Sequence, residues 1–168
     1  MSTARTRDAS IRDAREEDRG AIAAIYNEGI HEGRSTFETE QRTAADIDPW
    51  LGSPQHPVLV AQDGGDVAGW ARVSPYSTRP CYAGVGEASV YVSAPARGRG
   101  LGGALAAELR AQAERAGFHK LIGKLLTEND ASRALAARYG FREVGLHLRH
   151  GEVGGRWHDV LVVELLLT

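Results

Sequence analysis

GEASVYVSAPARGRGLGGALAAEL, residues 86–109, is the stretch that decides how this chain folds. Its first part is rich in β-branched and aromatic side chains and reads as the end of a strand over 84–92. Its last part sets Leu101, Leu105 and Leu109 four apart on one helical face and reads as a helix running to about Ala116. Between strand and helix lie Arg97, Gly98, Arg99, Gly100, Leu101 and Gly102. Glycines let backbone N–H groups converge without interference from Cβ, and a helix N-terminus adds about half a positive charge, so such a turn suits a pyrophosphate. Arg97 and Arg99 can add charge-assisted contacts. The plainer alternative is a glycine-rich turn with solvated arginines.

Downstream, KLIGKLL (120–126) reads as a buried strand. NDASRALAARYG (129–140) reads as a helix that starts at Asn129 or Asp130 and is closed by Gly140, and two strands follow around a GEVGG turn. Upstream, IRDARE is a short first strand, and Ile22, Ile25, Tyr26 and Ile30 mark a helix over roughly 18–31. Thr43 and Asp46 form a capping-box pattern for a short helix to about Leu51, ended by the loop GSPQHP. VLVAQ (58–62), a GGD turn and VAGWARVSP (67–75) make a hairpin. The order is one strand, two helices, three strands, helix, strand, helix, two strands: an α/β domain with a mixed sheet of seven strands and helices on its faces. The first ten residues are small and polar and read as a flexible tail, leaving 11–168 as a single domain.

A chain of 168 residues with 42% hydrophobic and 25% charged side chains is sized for one globular domain. A net charge of -2 supplies none of the positive field that nucleic-acid backbones need, so nucleic acid is not an expected partner. No apolar run is long enough to span a bilayer and MSTARTRDAS has no apolar core of a signal peptide, so the reading is a soluble, cytoplasmic protein without a membrane partner. One cysteine, Cys81, excludes an internal disulfide and a cysteine metal site.

Gly98, Gly100 and Gly103 also satisfy the spacing of a dinucleotide fingerprint. That fold wants an acidic residue at the end of the next strand, but the nearest, Glu128, lies too far on, two arginines occupy the turn, and most strands precede the motif. The same letters spell Arg-x-x-Gly-x-Gly after a Val-Tyr-Val strand, with Asn129 and Ser132 opening a later helix and Gly140-Phe141 closing it. In these features the chain resembles the GCN5-related N-acetyltransferase (GNAT) superfamily, across nearly its whole length from Ile11. The resemblance implies a GNAT fold, with acetyl-CoA as co-substrate and no metal. It also implies that the loop 97–102 holds the coenzyme pyrophosphate, that the backbone of Val90 and Val92 pairs with the pantetheine arm, and that Asn129 and Ser132 contact that arm from the opposite side.

STFETE (35–40), RPCYAGVGEASVYV (79–92), the glycine loop and WHDV (157–160) are most similar to the phosphinothricin, methionine sulfoximine and arsinothricin N-acetyltransferases. This resemblance implies a transfer to the α-amine of a small amino acid or analogue, a resistance-type activity, and a homodimer. In such enzymes the glutamate opening the E-x-x-V-Y-V strand is the general base, here Glu87. Alternation along the strand agrees, since it puts Val85, Glu87, Ser89 and Tyr91 on one face and Ala88, Val90 and Val92 on the other. Glu87 lies about 10 Å along the strand from Val90, which places it toward the thioester end of an extended coenzyme arm. Many relatives carry a tyrosine acid where this chain has Ala136, so no general acid is assigned.

Phe37, Arg79 and Tyr82 match acceptor-pocket positions of the resembled family, where arginine can clamp a carboxylate, phosphinate or arsinate. Ser77 replaces a second basic residue found in several relatives. His158 is expected near the pocket or at a subunit contact, or equally as a structural histidine bonded within the sheet, and Cys81 is expected to pack or to line the pocket. His147 and His150 are three apart on a strand and are expected on opposite faces, so they do not chelate together. Two other functions stay open on the sequence alone: acetylation of a protein or another amine, and a non-catalytic acyl-CoA-binding module.

Overall fold

A computed structural model describes residues 9–167. Most of the expected tail, residues 1–8, lies outside the described residues, but Ala9 and Ser10 already belong to strand β1 (Ala9–Asp13), where they pair with Asp63 and Gln62. β1 also ends earlier than expected, because Glu16–Asp18 turns as a short 3-10 helix leading into α1 (Arg19–Glu32). The remaining elements are α2 (Ala44–Leu51), β2 (Val58–Asp63), β3 (Asp66–Pro75), β4 (Val85–Val92), α3 (Leu101–Arg115), β5 (Lys120–Leu126), α4 (Asp130–Arg138), β6 (Arg142–Val153) and β7 (Arg156–Leu166). The seven strands form one sheet in the order β1-β2-β3-β4-β5-β7-β6. The order of elements agrees with the sequence reading throughout, as an α/β fold with a mixed sheet and four helices.

Side-chain alternation divides the core in two. On one face α1 and α2 bury Ile22, Ile25 and Ile47 against Val60 and Trp70. On the other, the leucine row of α3 buries Leu101, Leu105 and Leu109 against Leu59, Ala71, Val73 and Leu121. Trp70 and Ala71 are consecutive on β3 and feed opposite cores, as a period of two requires. The capping box of α2 forms, with the Thr43 N–H donating to Asp46 at 2.7 Å. Among the described residues three carboxylates are buried, and each meets a cation: Asp18 accepts from both terminal guanidinium nitrogens of Arg12 at 2.7 and 2.9 Å, Asp63 pairs with Arg99, and Glu164 with Lys120 and Arg142. The hydrogen-bonded Arg12 holds the Asp18 carboxyl below its ordinary value.

Two features of the sheet shape its functional face. Among the described residues β4 and β5 form the only parallel pair, joined by the α3 crossover, and they pair over Val85–Glu87 with Lys120–Ile122. Beyond Glu87 the two strands part, β4 held by β3 and β5 by β7. β6 departs from simple alternation: a register shift between His147 and Gly151, with Arg149 at φ 47, carries two residues past the pleat. The expected separation of His147 and His150 onto opposite faces is therefore wrong, and their rings stack 4.3 Å apart. Among the described residues no group of three or more His, Cys, Asp and Glu side chains is placed to hold a metal ion, and no helix is long and apolar enough to cross a membrane.

Candidate active site

The parting of β4 from β5 opens a narrow slot of about 110 Å³. Ala88 and Val90 line it from β4, and Asn129, Ser132 and Leu135 line it from the start of α4. Asn129 caps that helix by accepting the Ser132 N–H at 3.1 Å, so the two polar residues expected opposite Val90 are fixed there by one hydrogen bond. Val92 lies beyond the slot lining. Its carbonyl accepts a hydrogen bond from Arg97 Nε at 3.1 Å, which leaves Val90 as the strand residue whose outer edge faces the slot.

The glycine turn approaches the slot at Gly102, where a Cβ would lie 3.5 Å from the slot-lining Leu135. Gly98 and Gly100 adopt φ of 75° and 83°, left-handed values that suit glycine, and Gly100 caps α3. The first-turn amides of α3, from Leu101 through Gly103, accordingly point out of the helix with no intrahelical partner. Arg97 pairs with Glu32 at 2.9 Å and Arg99 pairs with the buried Asp63, so both brace the turn against α1 and β2. Gly103 marks a close approach: a Cβ there would sit 2.3 Å from the Tyr139 hydroxyl of the residue that follows α4.

On the α1/α2 face the slot communicates with a wider cavity of about 540 Å³, sharing Ser89, Tyr91 and Lys124–Leu126 with it. Glu87 lines this cavity at the point where β4 and β5 part, beside the shared residues. Lys124 Nζ donates to its Oε2 at 3.3 Å and holds the half-buried carboxylate in place. The parallel register accounts for that contact, because Glu87 pairs with Ile122 and Lys124 is the next β5 residue on the same face. The other carboxylate of the cavity, Glu38, is paired with Arg42 at 3.1 Å. Tyr91 donates to the Ser35 carbonyl at 3.1 Å, and burial pushes its phenol well above its ordinary value, which keeps it neutral. Glu87 is thus a carboxylate that stands where the cavity meets the residues it shares with the slot.

The cavity walls are aromatic. Trp70 and Tyr91 stack at 4.6 Å, Tyr26 meets Trp50 edge-on at 6.2 Å, and the Arg72 guanidinium lies 4.0 Å over the Trp50 ring. Of the expected acceptor residues, Phe37 lines this cavity. His158 sits just behind it, its ring 6.0 Å from Phe37 and its Nδ1 3.0 Å from Glu128 Oε1. Arg79, Tyr82 and Cys81 do not join it and are exposed. The β3–β4 connection runs past the strand ends, where Pro80 opens a 3-10 turn that carries all three outward, Tyr82 resting edge-on against Tyr76 at 5.6 Å. Arg72, Lys124, Tyr26 and Trp50 were not singled out from the sequence. Alternation from Trp70 places Arg72 on the same face of β3, but nothing local shows that this face lines a cavity.

Residues 14–141 match the family described as acetyltransferase (GNAT). The chain is 35% identical over 167 residues to phosphinothricin N-acetyltransferase of Streptomyces coelicolor, covering 95% of this chain and 96% of the relative. It is 33% identical over 163 residues to the L-methionine sulfoximine/L-methionine sulfone acetyltransferase of Pseudomonas paraeruginosa, with 95% of each chain covered. Among solved structures, a GNAT superfamily phosphinothricin acetyltransferase from Sinorhizobium meliloti in complex with AcCoA superposes with a TM-score of 0.89 at 33% identity, over 95% of this chain and 88% of that one.

Proposed function

This chain belongs to the acetyltransferase (GNAT) family, and from that premise we propose that it transfers the acetyl group of acetyl-CoA to the α-amine of a small amino acid or analogue of the phosphinothricin, methionine sulfoximine or arsinothricin type, with Glu87 as general base. The observation that carries the reading is the position of Glu87 at the junction between a narrow slot and a wide aromatic cavity. The residues present fit the coenzyme: the amides at the start of α3 suit a pyrophosphate, the free edge of Val90 suits an amide-bearing arm, and Asn129 and Ser132 close the slot from the far side. When bound, acetyl-CoA supplies an activated thioester.

The chain's own residues do the rest. Glu87 accepts a proton from the acceptor ammonium, directly or through a water, and the neutral amine becomes the nucleophile. Lys124 fixes the carboxylate, and Phe37, Tyr26 and Trp50 wall the cavity so that the amine is held in one orientation. The test is thiol release from acetyl-CoA with phosphinothricin, methionine sulfoximine and methionine sulfone beside a panel of peptides and simple amines. Release with the amino acids supports the reading, and release with peptides alone replaces it.

We also infer a cytoplasmic homodimer whose interface includes β6. This 12-residue edge strand is exposed nearly throughout, and Val144, Leu146 and Leu148 are apolar and 49 to 73% exposed. Sedimentation equilibrium is expected to show two copies, and Leu148→Glu is expected to give one.

A further inference from the structure

We propose that Arg72 is the carboxylate anchor of the acceptor site, so that the enzyme selects amines whose neighbouring group is a free carboxylate. This rests on the amino-acid reading and narrows it. Arg72 is the one half-buried arginine that forms no ion pair among the described residues, whereas Arg12, Arg19, Arg42 and Arg110 each meet a carboxylate. It lines the acceptor cavity, and the other two Lys and Arg side chains there are taken, Arg42 by Glu38 and Lys124 by Glu87. Burial lowers its basicity and the nearby Tyr26 and Glu87 partly offset this, yet a guanidinium remains charged in any protein, so this is a partly desolvated cation that lies over the Trp50 ring at 4.0 Å, with the Glu87 charge near but in no ion pair with it. An anionic ligand provides the missing partner, and a carboxylate matches the guanidinium fork in two hydrogen bonds.

Register adds a geometric reason. On β3 and β4 Arg72 pairs with Ser89 and Ser74 pairs with Glu87, so Arg72 and Glu87 are diagonal neighbours on one sheet face. Such neighbours stand about 7–8 Å apart at the backbone, within reach of long side chains. An α-amino acid carries ammonium and carboxylate on the same carbon, so its carboxylate on Arg72 sets its amine toward Glu87. A polyamine has no group for Arg72, and a protein N-terminus has a neutral peptide bond at that place.

The experiment compares L-methionine sulfone with its carboxamide, using wild type, Arg72→Gln and Arg72→Lys. The readout is the acid-to-amide ratio of kcat/KM, and dividing the wild-type ratio by the variant ratio cancels the different basicities of the two amines. A lost charge-assisted anchor is expected to lower the ratio about 10- to 150-fold in Arg72→Gln. Arg72→Lys keeps a cation without the fork and is expected to fall between. An unchanged ratio with a parallel loss on both acceptors means that Arg72 only props Trp50, and overturns the proposal while acetyl transfer stands. No transfer to either acceptor by wild type overturns the amino-acid reading and this proposal with it. Should Arg72→Gln fail to fold, the Arg72→Lys ratio decides by itself: any value equal to wild type is refuting.

Discussion

Replacing Glu87 by glutamine keeps the side chain's size and its ability to accept from Lys124 Nζ, 3.3 Å away, but removes proton acceptance. General-base catalysis is worth roughly 100- to 10,000-fold, so kcat at pH 7 is expected to fall by at least about 100-fold. The defect has a pH signature. Below the pKa of the acceptor ammonium the neutral fraction rises about tenfold per pH unit, so an enzyme that must wait for free amine recovers steeply as pH rises towards that pKa. Wild type, which deprotonates the bound ammonium, gains much less. The coenzyme slot does not depend on the Glu87 carboxyl, so acetyl-CoA affinity measured by calorimetry is expected to stay near wild type. Steady-state thiol release from pH 6.5 to 9.5 is the assay. A loss below about tenfold, or a loss of equal size at every pH, removes Glu87 from the role of base.

Gly100→Ala places a Cβ on a residue at φ 83°, which costs about 1–2 kcal/mol of backbone strain, so both thermal stability and acetyl-CoA affinity are expected to fall; unchanged affinity in calorimetry overturns the assignment of this turn to the coenzyme. Arg79→Ala is expected to leave kcat/KM within about twofold for anionic and neutral acceptors alike, because Arg79 is exposed and away from the acceptor cavity, and a loss confined to anionic acceptors returns it to the site. Asp18, buried against Arg12, titrates below its ordinary value when folded, so its stabilisation is present above the ordinary carboxylate range and is lost as pH falls through that range toward the folded value. Urea midpoints measured from pH 7 to pH 3 are expected to drop less steeply for Asp18→Asn than for wild type.

Much of this protein is governed by neighbours along the chain and is legible in its residues alone. The leucine row of α3, the glycines before it, the Thr43–Asp46 cap and the alternation that sets Glu87 against Val90 all obey steric rules and periods that act within a few residues. Which partners those residues meet is settled by packing. The sequence shows Arg97 and Arg99 beside the glycines, and packing adds Glu32 from α1 and Asp63 from β2 as their carboxylate partners. The exposure of Arg79 ahead of the Pro80 turn, and the Trp50 ring that α2 brings against Arg72, are likewise set by packing. The two histidines of β6 separate by simple counting, yet a bulge joins them. Periodicity assigns a side chain to a face, but its charge, exposure and chemistry depend on groups that only the packed chain brings within hydrogen-bond reach.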